Sequence, residues 1–311
     1  MENESLVFNI QDYVLLGLKE MEYLKYFYST VALLIYLTTI FLCTLIVYAV
    51  RTEQSLHEPM YIFIGHLVWN DVFGSSALFP KLVIDLLSGS SMISFVGCLI
   101  QSFCIQTFAT VEILTFTIMA YDRYLAVGFP LRYHSLMTNR KALLSLAFIW
   151  LVLSGTQLIG ATLVVKLRLC GNSIKNVFCE TMSLTRLACV SPIVNDTYGT
   201  TMALILIVSP LLIVIYCYIQ TILACLKVSK KANQKAIHTL VTHIITFSTF
   251  MGATLFVSFR YRLNGGSLST ATHVAISVCA MSVSFTLNPV IYGIRTEALR
   301  MKMVHILKEI K

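Results

Sequence analysis

Residues 27–50, FYSTVALLIYLTTIFLCTLIVYAV, carry no charged side chain. A helix rises about 1.5 Å per residue, so roughly 20 apolar residues cross about 30 Å of hydrocarbon. In lipid such a stretch can satisfy its own backbone as a helix. Residues 142–165 are equally free of charge, and five further runs, at about 59–87, 95–123, 197–226, 236–260 and 270–294, include polar or ionisable residues, Gly or Pro. A bundle tolerates these where they face other helices rather than lipid. Only 12% of the 311 residues are charged, with mean hydropathy +0.78, against roughly 25% charged in soluble domains. The expected fold is an all-α membrane protein, a seven-transmembrane helix bundle forming one domain over 1–311. It divides into an extracellular N-terminus (1–26), the bundle (27–294) and a cytoplasmic tail helix (295–311). The first run is too long for a signal-peptide core and lacks an ordinary cleavage site, so it reads as an uncleaved span, with the mature chain beginning near Met1.

Orientation follows from Lys and Arg, which cytoplasmic loops retain. One set of connections, including Arg51, Arg123, Arg132, Arg140, Lys141, Lys227, Lys230, Lys231, Lys235 and the tail, sums to +9, and the opposite set to +1. The N-terminus is therefore expected outside and the C-terminus inside, at the plasma membrane. The basic face suits anionic lipid and a cytosolic partner rather than nucleic acid. Asn3 and Asn195 head glycosylation acceptor triplets on the proposed outer side. Cys98, Cys170, Cys179 and Cys189 also lie there, where disulfides persist. Four cysteines allow three pairings, and spacing does not choose among them. The other five lie in spans and read as small buried side chains.

Connections are short except 166–196, the one segment long enough for a lid. No internal repeat or second domain is visible. After the seventh run, EALRMKMVHILKEI (297–310) places Leu299, Met303, Ile306, Leu307 and Ile310 on one helical face, which suits a helix lying in the inner interface.

Two carboxylates fall inside spans. Asp71 lies twelve residues after Pro59 and Glu112 eleven before Arg123, so both sit at similar depth, about 18 Å and about 16 Å from one boundary. Burial demands a shared cation, a proton on one, or amide and hydroxyl partners such as Asn288. Asp122 and Arg123 differ, because they occur where the third run meets the inner interface and can pair there, partly hydrated.

The stretch MAYDRYLAVGFPLRYHSLMT (119–138) resembles the inner end of the third helix and following loop of odorant receptors, within the rhodopsin-like G-protein-coupled receptors. LHEPMYIF (56–63) with Asp71, FVGCLIQ (95–101), Glu112, KAIHTLVTH (235–243) and NPVIYGIRT (288–296) agree in order and spacing, so the resemblance spans nearly the whole chain. It looks closest to the fish-like, water-borne branch, on the tail of the seventh helix and on Arg262. The resemblance implies odorant binding and activation of a heterotrimeric G protein. Arg123 would be held by Asp122 at rest, with Tyr124, Tyr218 and Tyr292 rearranging on release and Asn288-Pro289 forming the pliable part of the seventh helix. It also implies Cys98–Cys179 and Cys170–Cys189 bridges, and a sodium site at Asp71 and Glu112, with no other cofactor. Cys43, Gly128, Leu240 and Met251 depart from the family pattern, which bears on the resting balance rather than the fold.

Helix spacing puts Ile105, Gln106, Ala109 and Thr110 on the outer half of the third helix, with Met202, Ala203 and Leu206 on the fifth and Thr254 and Ser258 on the sixth at comparable depth. This is a mostly apolar setting with a few polar groups, as small-molecule sites are. Arg262, beside Arg260 at the outer end of the sixth helix, could anchor to headgroups or clamp a carboxylate in bidentate fashion, and the second reading points to a small polar or acidic odorant.

Rival classes fare worse. An opsin needs a Schiff-base Lys in 270–294, and a monoamine receptor wants an acid within 98–111; neither is present. A transporter commonly shows internal repeats. An enzyme would need metal-ligand spacing or a phosphate loop, and His238 and His243 stand isolated. A non-olfactory chemosensory receptor remains the nearest alternative.

Overall fold

A computed structural model describes residues 12–226, 230–263 and 269–309, without the side chains of 230–236, 238–239, 256–263, 273 and 309. Strand β1 (Tyr13–Leu15) and helix α1 (Leu16–Glu20) precede α2 (Lys25–Thr52) and α3 (Pro59–Ser88). Strand β2 (Met92–Ile93) leads into α4 (Phe95–Gly128), α5 (Tyr133–Leu136) and α6 (Asn139–Val165). The long loop holds β3 (Ser173–Ile174) and α7 (Thr181–Thr185) before α8 (Ile193–Ala203), a π-helical turn (Leu204–Val208) and α9 (Ser209–Cys225). Helices α10 (Lys230–Leu263), α11 (Thr270–Arg295) and α12 (Glu297–Glu309) complete the chain.

Six spans among the described residues are long and apolar enough to cross a membrane, and α10 adds a shorter apolar stretch, Leu240–Leu255. The seven form the bundle. Three of their starts are chemically marked: Ser94, Thr138 and Ser269 each accept a hydrogen bond from the backbone N–H three residues on, at 3.2 Å, satisfying a donor the first turn leaves open. Gly89, at φ +69°, ends α3 in the left-handed conformation that glycine adopts without strain.

Helices α3 and α4 form the interior. At Gly74 an added Cβ would lie 2.5 Å from the Phe108 ring and 2.7 Å from that of Phe285. The missing side chain therefore lets α3, α4 and α11 approach, with Phe108 and Phe285 centroids 4.7 Å apart. By contrast α6 turns Leu151 (75% exposed) and Phe148 (66%) outward, as a helix does when lipid is its neighbour. In the fifth span the π-helical turn ends two residues before Pro210, whose ring removes a backbone donor. Ser209 Oγ donates to the Ile205 carbonyl at 2.6 Å within that loosened turn.

Two sequence expectations are corrected by the helix ends. The third helix continues to Gly128, so Asp122 and Arg123 lie within it, and Asp122 is 1% exposed rather than partly hydrated. In the tail, Leu299, Met303 and Ile306 are buried, but Leu307 is 41% exposed. A helix advances 100° per residue, so Leu307 turns away from the row set by Leu299, Met303 and Ile306; Ile310 lies outside the described residues. Lys302 Nζ meets Glu53 Oε2 at 3.1 Å, tying the tail to the loop after α2. Hydrogen bonds from Lys302 and then Ser55 hold the Glu53 carboxyl below its ordinary pKa.

At the opposite end the N-terminal segment forms a small sheet, in the order β2-β1-β3. β1 is antiparallel to β2 and parallel to β3, with Val14 N donating to Asn172 O and Leu15 N to Ser91 O, both at 2.7 Å. Tyr13 and Leu15 are buried beneath it. A Cβ on Gly17 would meet the Asn176 carbonyl carbon at 2.7 Å, so this crossing depends on glycine. Bridges Cys98–Cys179 and Cys170–Cys189 close the long loop, settling which of the three pairings forms.

Candidate functional site

Three polar features line up along α4, from the disulfide end to the opposite end.

The first is a cavity of about 300 Å³, at the small end of ligand-sized pockets. Ile105, Gln106, Ala109 and Thr110 of α4 line it together with Met202 and Ala203 of α8, Leu206 of the π-helical turn and Thr254 of α10. Phe108, Ile113, Phe250 and Met281 make its deep part apolar. Its lid is the long loop, through Phe178, Glu180, Thr181 and Met182. The lid is pinned by Gln101, whose Oε1 accepts from Cys179 N at 2.8 Å, and by a 2.9 Å contact between the Ser102 and Thr181 hydroxyls. Many wall hydroxyls are already committed: Thr110 donates to Gln106 O, Thr156 to Leu153 O and Tyr198 to Thr156 O. Sequence spacing did not reach the loop lining or Gln157 of α6, because a loop has no helical period to follow. Asn195 lines the cavity from the first turn of α8. Asn3, and the side chains of Ser258, Arg260, Arg262 and His238, lie outside the described residues.

The second feature is the carboxylate pair. Asp71, Glu112, Asn70 and Asn288 are 0–1% exposed. Asn288 Nδ2 donates to both Asp71 oxygens at 3.2 Å and also to Glu112 Oε1, using its two protons on two carboxylates. Asn70 Nδ2 donates to Phe108 O at 3.0 Å and Glu112 Oε2 at 2.7 Å. Both neighbours are acceptors, which fixes the orientation of that amide. Asn70 Oδ1 is left buried with no hydrogen-bond partner. Carboxylate and amide oxygens are the donor types that a hard cation takes. Among the described residues no group of three His, Cys, Asp or Glu is gathered for a metal.

The third feature is the polar cluster around Asp122 and Arg123. Arg123 Nη2 lies 3.2 Å from Asp122 Oδ2, an ion pair without hydrogen-bond alignment, since that oxygen has no aligned donor. Asp122 Oδ1 instead accepts from the Tyr133 hydroxyl at 2.8 Å. Burial, followed by the Asp122 carboxylate, raises the Tyr133 phenol, which keeps it a donor. Tyr133 was missed by sequence reasoning, because it sits across a turn, eleven residues away. Nearby, the Tyr292 hydroxyl meets His243 Nδ1 at 3.0 Å and Thr246 Oγ1 at 3.3 Å. Tyr218 Oη and Arg123 Nε are buried without hydrogen-bond partners. Tyr124 is half-buried, its ring 5.6 Å from that of Phe129. Pro289 sits inside α11 directly after Asn288, so the carboxylate pair adjoins the point where that helix lacks a donor.

The olfactory receptor family profile matches residues 32–310. The chain belongs to the olfactory receptor family. It is 30% identical to rat "Olfactory receptor 1496" over 304 residues, 97% of each chain. Human "Olfactory receptor 7D2" is 32% identical over 293 residues, covering 92% of this chain and 91% of that one. The dog "Olfactory receptor-like protein OLF4" is 30% identical over 302 residues, 96% of each. The olfactory receptor here is thus a multi-pass membrane protein and not an enzyme. The four positions expected to depart from the family pattern sit without strain. Cys43, Leu240 and Met251 are buried at 1%, 3% and 4% exposure, and a Cβ at Gly128 would touch only the Tyr124 ring at 3.5 Å.

Proposed function

We propose that this receptor binds a small, partly polar odorant in the lidded cavity and activates a heterotrimeric G protein at the Asp122–Arg123 end, which faces the cytosol. The observation that carries the reading is the single helix α4, which lines the cavity with Gln106 and Ala109, supplies Glu112 to the carboxylate pair and carries Asp122 and Arg123 in its last turns. A ligand that prefers one arrangement of that helix biases the far end by its differential affinity for the two states. The charge asymmetry supports an outer N-terminus at the plasma membrane, and the basic inner face suits anionic lipid. Asp71, Glu112 and Asn70 Oδ1 would hold a sodium ion, which would add positive charge beside two buried carboxylates that Asn288 and Asn70 already bond. An acidic odorant rests on Arg262, and the described cavity wall does not favour it.

A cell expressing the receptor, screened with water-soluble odorants under a second-messenger readout and with nucleotide exchange on added G protein, tests the reading. Ligand-driven exchange is expected. Ion flux without exchange would overturn it in favour of a transporter.

A further inference from the structure

Resting on the cavity being the odorant site, we infer that Asp196 makes the receptor selective for cationic odorants, meaning protonated alkylamines. Among the described residues lining the cavity, the ionisable groups of fixed sign are Glu180 and Asp196, both acids. They do comparable work only in sign. Glu180 Oε1 accepts from Asn176 Nδ2 at 3.0 Å and Ser183 Oγ at 3.3 Å, so its role is structural. The Asp196 carboxylate carries no hydrogen bond or ion pair to any described residue, and only its backbone N–H is engaged, with Pro192 O at 2.9 Å. Asp196 also lines the adjoining cavity of about 550 Å³ together with Met182 and Thr185, which border both spaces. It therefore stands at the passage between them. Arg186 lines the outer space but not the inner one.

The absence of an acid from residues 98–111 argues against amine recognition only if the acid must come from α4. Here it comes from the first turn of α8. The rest of the wall fits an amine's other end, since Phe108, Ile113, Phe250 and Met281 offer an apolar floor for an alkyl tail. An acid in a first helical turn also complements the helix dipole, so a purely structural Asp196 would show in receptor folding rather than in ligand preference.

The test compares n-hexylamine, hexyltrimethylammonium, 1-hexanol and hexanoic acid on wild type, Asp196→Asn and Leu206→Trp, with surface staining of each. Asp196→Asn leaves the Asn195-Xaa-Thr197 acceptor triplet intact. Wild type should respond best to hexylamine. Asp196→Asn should raise its half-maximal concentration roughly five- to tenfold, the range between an exposed ion pair and a charge-assisted hydrogen bond, while the hexanol response stays put. Hexanol or hexanoic acid outranking both cations in wild type, an absent amine response, or an equal shift for amine and alcohol in Asp196→Asn overturns the inference. Leu206→Trp, which fills the cavity, should silence every active probe. Responses that survive it overturn the cavity reading itself, separately from the charge preference.

Discussion

Replacing Tyr133 by Phe removes one hydroxyl and keeps the ring that packs 5.4 Å from His134. The lost contact is the 2.8 Å hydrogen bond to Asp122 Oδ1, an oxygen with almost no exposure. Hydrogen bonds to charged groups contribute about 1.5–3 kcal/mol. Tyr133 is half-buried, so water partly replaces its hydroxyl and the lower end, about 1.5 kcal/mol, applies. Each 1.4 kcal/mol or so is a tenfold change in an equilibrium. If the bond belongs to the resting form, its loss moves the rest-to-active ratio about tenfold. A receptor about 1% active without ligand would become about 10% active. The assay is ligand-free second-messenger output normalised to surface expression, for Tyr133→Phe, Asp122→Asn and the double variant. Because both substitutions act on one carboxylate, the double variant should not exceed Asp122→Asn. Basal output equal to wild type in Tyr133→Phe at matched surface level refutes the claim that this bond holds the resting state.

Further outcomes are expected elsewhere in the molecule. Gly74→Ala forces a methyl against Phe108 and Phe285 and should destabilise the detergent-solubilised receptor by about 1–3 kcal/mol, read as a lowered melting temperature. Replacing external sodium by N-methylglucamine should change the response of wild type to its odorant, while Glu112→Gln should lose that sodium dependence; an unchanged dependence removes the cation from the pair. The Glu53 carboxyl sits below its usual 4.5, so its contribution is complete above about that pH and fades as pH falls through the lower folded value. Hydrogen-exchange protection over Glu297–Glu309, corrected for the intrinsic pH dependence of amide exchange, should therefore fall in acid for wild type, and Glu53→Gln should flatten that part of the profile. Cys170→Ser opens a bridge spanning 19 residues and should cost about 3 kcal/mol by loop-closure entropy, seen as reduced surface expression.

The spans were legible because lipid imposes a length and a polarity that few other constraints mimic. Depth arithmetic alone brought Asp71 level with Glu112, and both bond Asn288. Helical spacing also grouped Gln106 with Ala109, Met202 and Leu206 around one space. What stayed hidden lacks a period. Strands of two and three residues carry no alternation to detect, and their pairing joins positions 14, 92 and 173. Asn70 is adjacent to Asp71, so helical spacing points it elsewhere, yet α3 is surrounded and its amide reaches Glu112. Tyr133 reaches Asp122 only because the chain reverses between them. The expected hydration of Asp122 failed for a related reason: the helix runs on to Gly128 and the following turn covers it.

The little sheet at the disulfide end also sets an order of manufacture. A chain made from its N-terminus has Tyr13–Leu15 in hand early, but that strand gains its first neighbour at residues 92–93, after two spans are threaded, and its second at 173–174, after four. Until then its backbone donors and acceptors are open and Leu15 is uncovered. The finished sheet is consequently a late closure, a seal that sits properly only when the preceding spans have been inserted in register, and an unsealed N-terminal strand is what a cell's quality control would find on a misthreaded copy.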